Sequence, residues 1–177
     1  AFTGTGSGFN SFVTWLNNAP TDYAAMSADF NSDSVSDLCL FKRSSGEFKI
    51  YFSDTKAFVD GSSWITGYAL DKDPLLADFN CDGLTDIGYW DKASANWYYC
   101  LSTGEKFIDK GLWLSSFGRS ADDSALAADF DGNGVTDPAT FDSDGLGITR
   151  WNFKTSTKKL PDLLTQINNG IGATTDI

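Results

Sequence analysis

The sequence predicts an all-β fold built from about three repeating units of roughly fifty residues, and three observations carry that prediction. Aromatic residues make up 15% of the chain, and much of the remainder is Gly, Ser, Thr, Asp and Asn, a mixture suited to short strands joined by tight turns. Three near-identical segments recur: Ala28-Asp-Phe-Asn-Ser-Asp-Ser-Val-Ser-Asp37, Ala77-Asp-Phe-Asn-Cys-Asp-Gly-Leu-Thr-Asp86 and Ala128-Asp-Phe-Asp-Gly-Asn-Gly-Val-Thr-Asp137. Their leading aspartates Asp29, Asp78 and Asp129 lie 49 and 51 residues apart, and Trp15, Trp64 and Trp113 follow one another at intervals of 49. The repeat is therefore a whole structural unit rather than a loop motif.

Along the chain, residues 1–28 match only the second half of a unit, with Thr5-Gly-Ser-Gly-Phe9 standing where Thr103-Gly-Glu-Lys-Phe107 stands later. Each loop is followed, four residues after its last Asp, by an aromatic: Phe41, Trp90 and Phe141. Next come alternating segments in which Phe48/Ile50/Phe52 and Trp97/Tyr99/Leu101 each share one face, predicted to be core. The third copy, Trp151-Asn-Phe153, fits after an insertion around Asp144 to Gly147 that predicts a longer hairpin loop. Polar turns at Ser53–Phe58 and Ser102–Phe107 then lead back through the repeated Trp to the next loop, giving three or four strands per unit. The repeat domain is read as residues 1–160, with terminal halves able to combine and residues 161–177 as a tail. A short helix is expected over Leu160 to Asn169, and little helix elsewhere.

A chain of 177 residues suits one domain, and a formal net charge of −11 opposes binding to phosphate backbones or anionic lipid. Nucleic acid is excluded as a favoured partner. No apolar run approaches the roughly 20 residues of a membrane helix, so membrane insertion is not expected. No charged-then-apolar leader opens the chain, and reading it as secreted implies a mature or trimmed form. The absence of His removes the commonest general base and the commonest zinc or iron ligand. Cys39, Cys81 and Cys100 show no paired metal or redox spacing. Cys39 and Cys100 are read as small buried strand residues, with a Cys39–Cys100 or Cys81–Cys100 disulfide as the alternative.

Positions 1, 3, 5 and 9 of each loop carry side-chain oxygens: Asp29/Asn31/Asp33/Asp37, Asp78/Asn80/Asp82/Asp86 and Asp129/Asp131/Asn133/Asp137. On a tightly curled backbone this spacing turns successive oxygens inward, as a hard cation with six to eight oxygen ligands requires. The carbonyls of Val35, Leu84 and Val135 at position 7 add a further ligand. About three Ca²⁺ sites are predicted. An EF-hand is rejected, because position 12 is Leu40, Tyr89 or Thr140 rather than a bidentate Glu. The flanks, moreover, alternate as strands. Magnesium, zinc and copper fit the donor set less well. The competing reading is Asx-turns that cap hairpins. Against it, nine carboxylates in three short loops repel one another, and three Ca²⁺ would move the formal charge from −11 to −5 (−11 + 6). Loop one carries Ser34 where the others carry Gly83 and Gly134, so it is expected to be the weakest or most distorted.

The pattern Ala-Asp-Phe-Asn-x-Asp-Gly-x-x-Asp followed by a short aromatic strand resembles the FG-GAP/VCBS repeat over residues 1 to about 160. That resemblance implies one four-stranded β-propeller blade per repeat, calcium in the blade loops, and service in adhesion, glycan binding or protein binding. Propellers have four to eight blades, and three are too few to close. The chain is then a partial propeller, a part of a longer array, an open stack, or one completed by self-association through exposed strand edges.

Three functions compete. The first is an extracellular or cell-surface binding module with structural calcium, for carbohydrate or an extracellular protein, using aromatics such as Trp64, Trp97, Tyr98, Trp113 and Trp151. Among these, Trp64 and Trp113 read as repeated core, whereas Tyr51 and Tyr98 fall on the opposite face and are the better contact candidates. The second is a self-assembling subunit of an extracellular filament, sheath or adhesin. The third is enzymatic, a carboxylate-pair glycosidase, or an accessory module of a secreted hydrolase. Glu47 and Glu105, the only glutamates, sit at turns, so the chain is read as a non-enzyme.

Overall fold

The computed structural model describes residues 14–119, 122, 124–143, 149–157, 166–168 and 174–176. Among them there is no helix and no segment able to cross a membrane as a helix. The strands form up-and-down antiparallel sheets that follow the repeat. The first sheet is β1 (Ala24–Ala28), β2 (Asp37–Lys42), β3 (Glu47–Ser53) and β4 (Phe58–Ile65). The second is β5 (Pro74–Ala77), β6 (Asp86–Asp91), β7 (Asn96–Ser102) and β8 (Phe107–Leu114). A third comprises β9 (Ser124–Ala128), β10 (Asp137–Ser143) and β11 (Thr149–Phe153). Each sheet is a blade, and the architecture is β-propeller-like.

Register explains why the repeated aromatics matter. In blade 1, Cys39 pairs with Met26 and Ile50, and Phe41 with Phe48, so these side chains share one face, the front. Blade 2 covers that front with its back: Ile87, Cys100 and Phe107 join Phe30, Cys39, Phe41, Phe48, Ile50 and Trp64 in one core. The Phe107 ring is central, meeting Phe30, Phe48 and Trp64 with centroids at 6.0, 6.1 and 5.1 Å. Blade 2 then offers its own front, Phe79, Trp97, Tyr99 and Trp113, toward blade 3. Phe79 can lie flat on this sheet because Gly88 faces it; a Cβ there would come within 2.9 Å of the Phe79 ring.

A blade clamped on both sides buries both faces, and this corrects the expectation of a single core face. Trp97 is buried as expected, but Tyr99 and Leu101 are half-buried while Cys100, on the opposite face, is fully buried. Register shifts between Trp97/Tyr98 and Tyr99/Cys100 further break the alternation. In β3, likewise, Phe48 and Ile50 are buried and Phe52 is half-buried. No disulfide links Cys39 to Cys100; both are buried free thiols, each pushed up to about 12 by burial. Cys81 is half-buried, and its Sγ donates to the Gly134 carbonyl at 3.4 Å.

The tail departs from expectation where it is described. Gln166–Asn168, within the segment expected to be helical, is a strand paired with Thr174–Asp176. Pairing with a Thr-rich partner outweighs the weak helical preference of three polar and β-branched residues. The rest of that segment, most of the insertion around Asp144 to Gly147, and residues 1–13 lie outside the described residues.

Candidate functional site

The three aspartate loops join the first and second strands of their blades and line up along one rim. In each, the position 1 carboxylate turns inward and accepts backbone N–H groups. Asp29 accepts from Asp33 at 3.2 Å and Ser34 at 2.7 Å, Asp78 from Cys81 at 2.6 Å and Gly83 at 2.8 Å, and Asp129 from Gly132 and Gly134, both at 2.8 Å. Such curling requires a left-handed residue at position 6, and Ser34 adopts φ 67 beside φ 86 for Gly83 and φ 80 for Gly134. Loop one thus keeps the shape of its siblings despite its Ser, at a backbone cost that Gly avoids.

Positions 3 and 5 bond each other. Asn31 and Asn80 donate their amides to Asp33 and Asp82 at 3.0 and 2.8 Å; in loop three the roles reverse, and Asn133 donates to Asp131 at 3.2 Å. Oxygens at position 5 (Asp33, Asp82, Asn133) accept from the position 7 N–H of Val35, Leu84 and Val135 at 2.8, 2.9 and 2.8 Å. Val135 is buried, while Val35 and Leu84 are half-buried. In loop three, oxygens of Asp129, Asp131 and Asp137 all lie within 4.8 Å of one another, close enough for one cation to touch all three.

Position 9 does something the spacing alone does not reveal. Asp37, Asp86 and Asp137 are buried (1%, 0% and 0% exposed), and each clamps the loop to the end of the third strand or, in blade 3, to the stretch just after it. Asp37 accepts from Phe30 and Ser53 N–H at 3.0 and 2.9 Å, Asp86 from Phe79 and Ser102 at 2.9 and 2.6 Å, and Asp137 from Phe130 and Ser156 at 3.2 and 2.6 Å. Each oxygen retains a second lone pair, so the clamp is compatible with metal ligation. Burial pushes the Asp86 carboxyl up to about 6 despite those bonds, with Asp82 and Asp78 adding like charge. Successive loops are stitched together: Thr85 N–H donates to the Asp29 carbonyl at 3.2 Å, and the Thr136 hydroxyl donates to the Asp78 carbonyl at 2.5 Å.

At the other end of the strands lies an open cleft of about 450 Å³ between blades 2 and 3. Its walls are Asp71, Lys72 and Asp73 from the β4–β5 connection, Trp90, Asp91 and Lys92 from the end of β6, and Ser124 and Ala125 of β9. Five residues of strand separate Asp86 from Asp91, so this cleft sits about 17 Å from the loop rim. Trp90 is anchored by its indole N–H to the Phe117 carbonyl at 3.2 Å and shows only an edge. The Lys72 ammonium, 2.7 Å from Asp91, holds that carboxyl below its usual range, with the Ser94 hydroxyl assisting at 2.7 Å. Asp73 pairs with Arg43. A carboxylate so held is an acceptor for hydroxyl groups and a poor general acid.

The aromatics singled out from the sequence are distributed differently. Trp64 and Trp97 are core and out of reach of a ligand. Tyr98 is half-buried and stacks on Tyr89 at 5.0 Å, and Tyr51 is half-buried against Gly61, so each leaves only part of its ring open to a ligand. Trp113 lines a smaller cavity of about 180 Å³ with Phe79, Val135 and Pro138, and Trp151 is exposed on blade 3. The cleft was missed because its residues come from three segments separated in sequence. Its signals were the charged run Asp71-Lys72-Asp73 and the Trp90-Asp91-Lys92 hairpin end.

No family model and no curated protein matches this chain. Among solved structures it is similar to a lectin from Agrocybe aegerita, described in terms of specific recognition of non-reducing terminal N-acetylglucosamine. The match has a TM-score of 0.55 at 19% identity and covers 75% of this chain. The chain spans 37% of that lectin's length. At this identity the likeness shows the fold.

Proposed function

We propose that this chain is an extracellular carbohydrate-binding module of the FG-GAP/VCBS kind, with calcium in its three rim loops as a structural brace. The observation that carries the reading is the cleft on the opposite rim. It combines an indole edge, the acceptor Asp91, the exposed carboxylates of Asp71 and Asp73, and the Lys72 ammonium in about 450 Å³. Sugars are bound by such mixtures, carboxylates accepting from hydroxyls and an aromatic packing against C–H surfaces. The lectin-like blade arrangement supports the same reading. The separation of rims argues that calcium stabilises the blades and does not bridge to the sugar.

In the loops, Asp29, Asp33 and Asp37, Asp78, Asp82 and Asp86, and Asp129, Asp131 and Asp137 would supply carboxylates, with Asn31, Asn80 and Asn133 adding amide oxygens. Such an all-oxygen donor set fits a hard divalent cation. An extracellular setting matches a module that depends on abundant calcium.

The test is a glycan array followed by calorimetry, starting with N-acetylglucosamine-terminated oligosaccharides. Asp91→Ala is expected to weaken binding about tenfold or more, as loss of a charged hydrogen bond costs roughly 1.5–3 kcal/mol. Binding that is unchanged in Asp91→Ala, with the melting profile also unchanged, would remove the cleft as the site.

A further inference from the structure

Taking the cleft as a carbohydrate site, as proposed above, we infer that it is one half of a two-residue site. A second cavity beside it, walled by Thr140, Asn152 and Phe117, takes an uncharged sugar residue linked to the one in the cleft. The two blade junctions share one frame. Phe117 of the β8–β9 connection packs on Trp97 at 5.9 Å, as Tyr68 of the β4–β5 connection packs on Phe48 at 6.3 Å, and each lies 49 residues from its counterpart. The Phe117 N–H donates to the Ala95 carbonyl at 2.9 Å, repeating the bond from the Tyr68 N–H to the Gly46 carbonyl at 3.2 Å. Into this frame blade 2 brings two rings: Tyr89 meets Tyr68 at 5.1 Å and stacks on Tyr98 at 5.0 Å. Register identifies the matching positions of blade 3, because Tyr89 pairs with Pro74 and Tyr98 while Thr140 pairs with Ala125 and Asn152. Where two phenol rings stand in blade 2, blade 3 has a short hydroxyl and an amide, beside a cavity of about 210 Å³.

Thr140 is the sign that this cavity is built to be filled. It lines the cavity at 0% exposure, and its Oγ1 has no hydrogen-bond partner among the described residues. A buried hydroxyl left unpaired is costly, and a hydroxyl of a ligand would satisfy it. The space far exceeds the roughly 10–15 Å³ that a single water needs, so a larger group fits. Charge narrows the choice. Arg119 pairs with Asp122 at 3.3 Å and also with Asp142, which Arg150 approaches at 3.6 Å. Both carboxylates are buried, and two guanidiniums cancel them. A site balanced in this way gives no advantage to an anion or a cation. What remains is hydrogen bonding at Thr140 and Asn152 and the apolar wall of Phe117, which suits an uncharged ring carrying hydroxyls.

The cavity adjoins the cleft. Ala125, on the cleft wall, is the direct register partner of Thr140, and such partners on antiparallel strands lie about 4.5–5.5 Å apart. Trp90, another wall of the cleft, lies against Gly118, which lines the cavity. That approach is close: a Cβ on Gly118, at φ 95, would come within 2.8 Å of the Trp90 indole and 2.9 Å of the Thr140 methyl. Adjacent residues of one glycan can therefore occupy both spaces with the Trp90 edge between them.

The experiment titrates the full chain in a calorimeter with N-acetylglucosamine and with its linked disaccharide. The disaccharide is expected to bind about tenfold tighter or more, the gain of added hydrogen bonds and ring contact in the cavity. Thr140→Val keeps the branched shape and removes the hydroxyl. In that variant the ratio of the two affinities is expected to fall several-fold, with Tm equal to or above that of the unaltered chain, because no described group depends on the hydroxyl. Asn152→Tyr restores the ring that blade 2 carries at this position and is expected to abolish the disaccharide's advantage. Equal binding of the two sugars by the unaltered chain, or a ratio unchanged in both variants, overturns the inference and leaves the cleft reading standing. If neither sugar binds, or if Asp91→Ala leaves both affinities as they were, the fault lies in the cleft reading and the two-residue site falls with it.

Discussion

Asp86 shows how a single carboxylate serves two ends. It is wholly buried, and its two oxygens take the N–H groups of Phe79, which opens the loop, and Ser102, which ends the third strand. Removing the carboxylate strands two buried donors, each worth about 1–3 kcal/mol. Asp86→Ala is therefore expected to lower stability by about 2–6 kcal/mol in chelator, where metal plays no part. Asp82→Ala, at an exposed position of the same loop, is expected to cost under about 0.5 kcal/mol there. Equal losses in urea melts of the two variants would mean that the clamp is not what fixes the loop. Spacing alone reads position 9 as one candidate ligand among several. Its structural task depends on Ser53, Ser102 and Ser156, whose N–H groups lie at or just past the end of the third strand, some sixteen to nineteen residues away.

Among elements, the blade-to-blade joint is where the stability lies. Phe107 enters the front of blade 1 between Phe30, Phe48 and Trp64, and truncating it leaves a cavity that three rigid rings cannot close. Phe107→Ala is expected to cost about 3–5 kcal/mol, read from denaturant midpoints with an unchanged slope. A loss below about 1 kcal/mol would show that blade 1 does not depend on blade 2. The strands and their order were legible because the repeat spacing of Trp15, Trp64 and Trp113 reports which positions the fold reuses. Which face of β7 is core was not, since period-two alternation assumes one buried face and this blade is buried on both. Cys100, read from the sequence as a small buried strand residue, is fully buried on the face opposite Trp97, and Tyr98, placed on the face away from the core, is half-buried and stacked on Tyr89. The cleft was illegible for a different reason: the β5–β6 pairing brings Lys72 to Asp91, and the remaining wall, Ser124 and Ala125, comes from blade 3.

For the whole molecule, self-repulsion of its own charge is a force to be balanced. A formal −11 includes nine loop carboxylates gathered on one rim, six of them on exposed or half-buried residues where solvent screens them and three buried where it does not. Backbone N–H groups already turn toward Asp29, Asp78 and Asp129, which orders the loops but leaves the net charge in place. Bound calcium would both cancel charge and draw positions 1, 3, 5 and 9 together. Any ligand that binds only the folded state adds RT ln(1 + [L]/Kd), about 2.7 kcal/mol per site at a hundredfold excess over Kd. A chain of this size gains about 2–4 °C per kcal/mol, so even one saturated site is expected to raise Tm by about 5–11 °C over the chelated protein. Simple screening makes a different prediction, because sodium chloride at about 0.5 M shortens the Debye length without filling a ligand shell. If salt reproduced the calcium shift, the loops would be charged turns and no metal sites; if calcium raised Tm in high salt where magnesium did not, the oxygen cages would account for it. A calcium shift that vanishes in Asp129→Ala would assign the ion to loop three, where three carboxylates already converge within 4.8 Å.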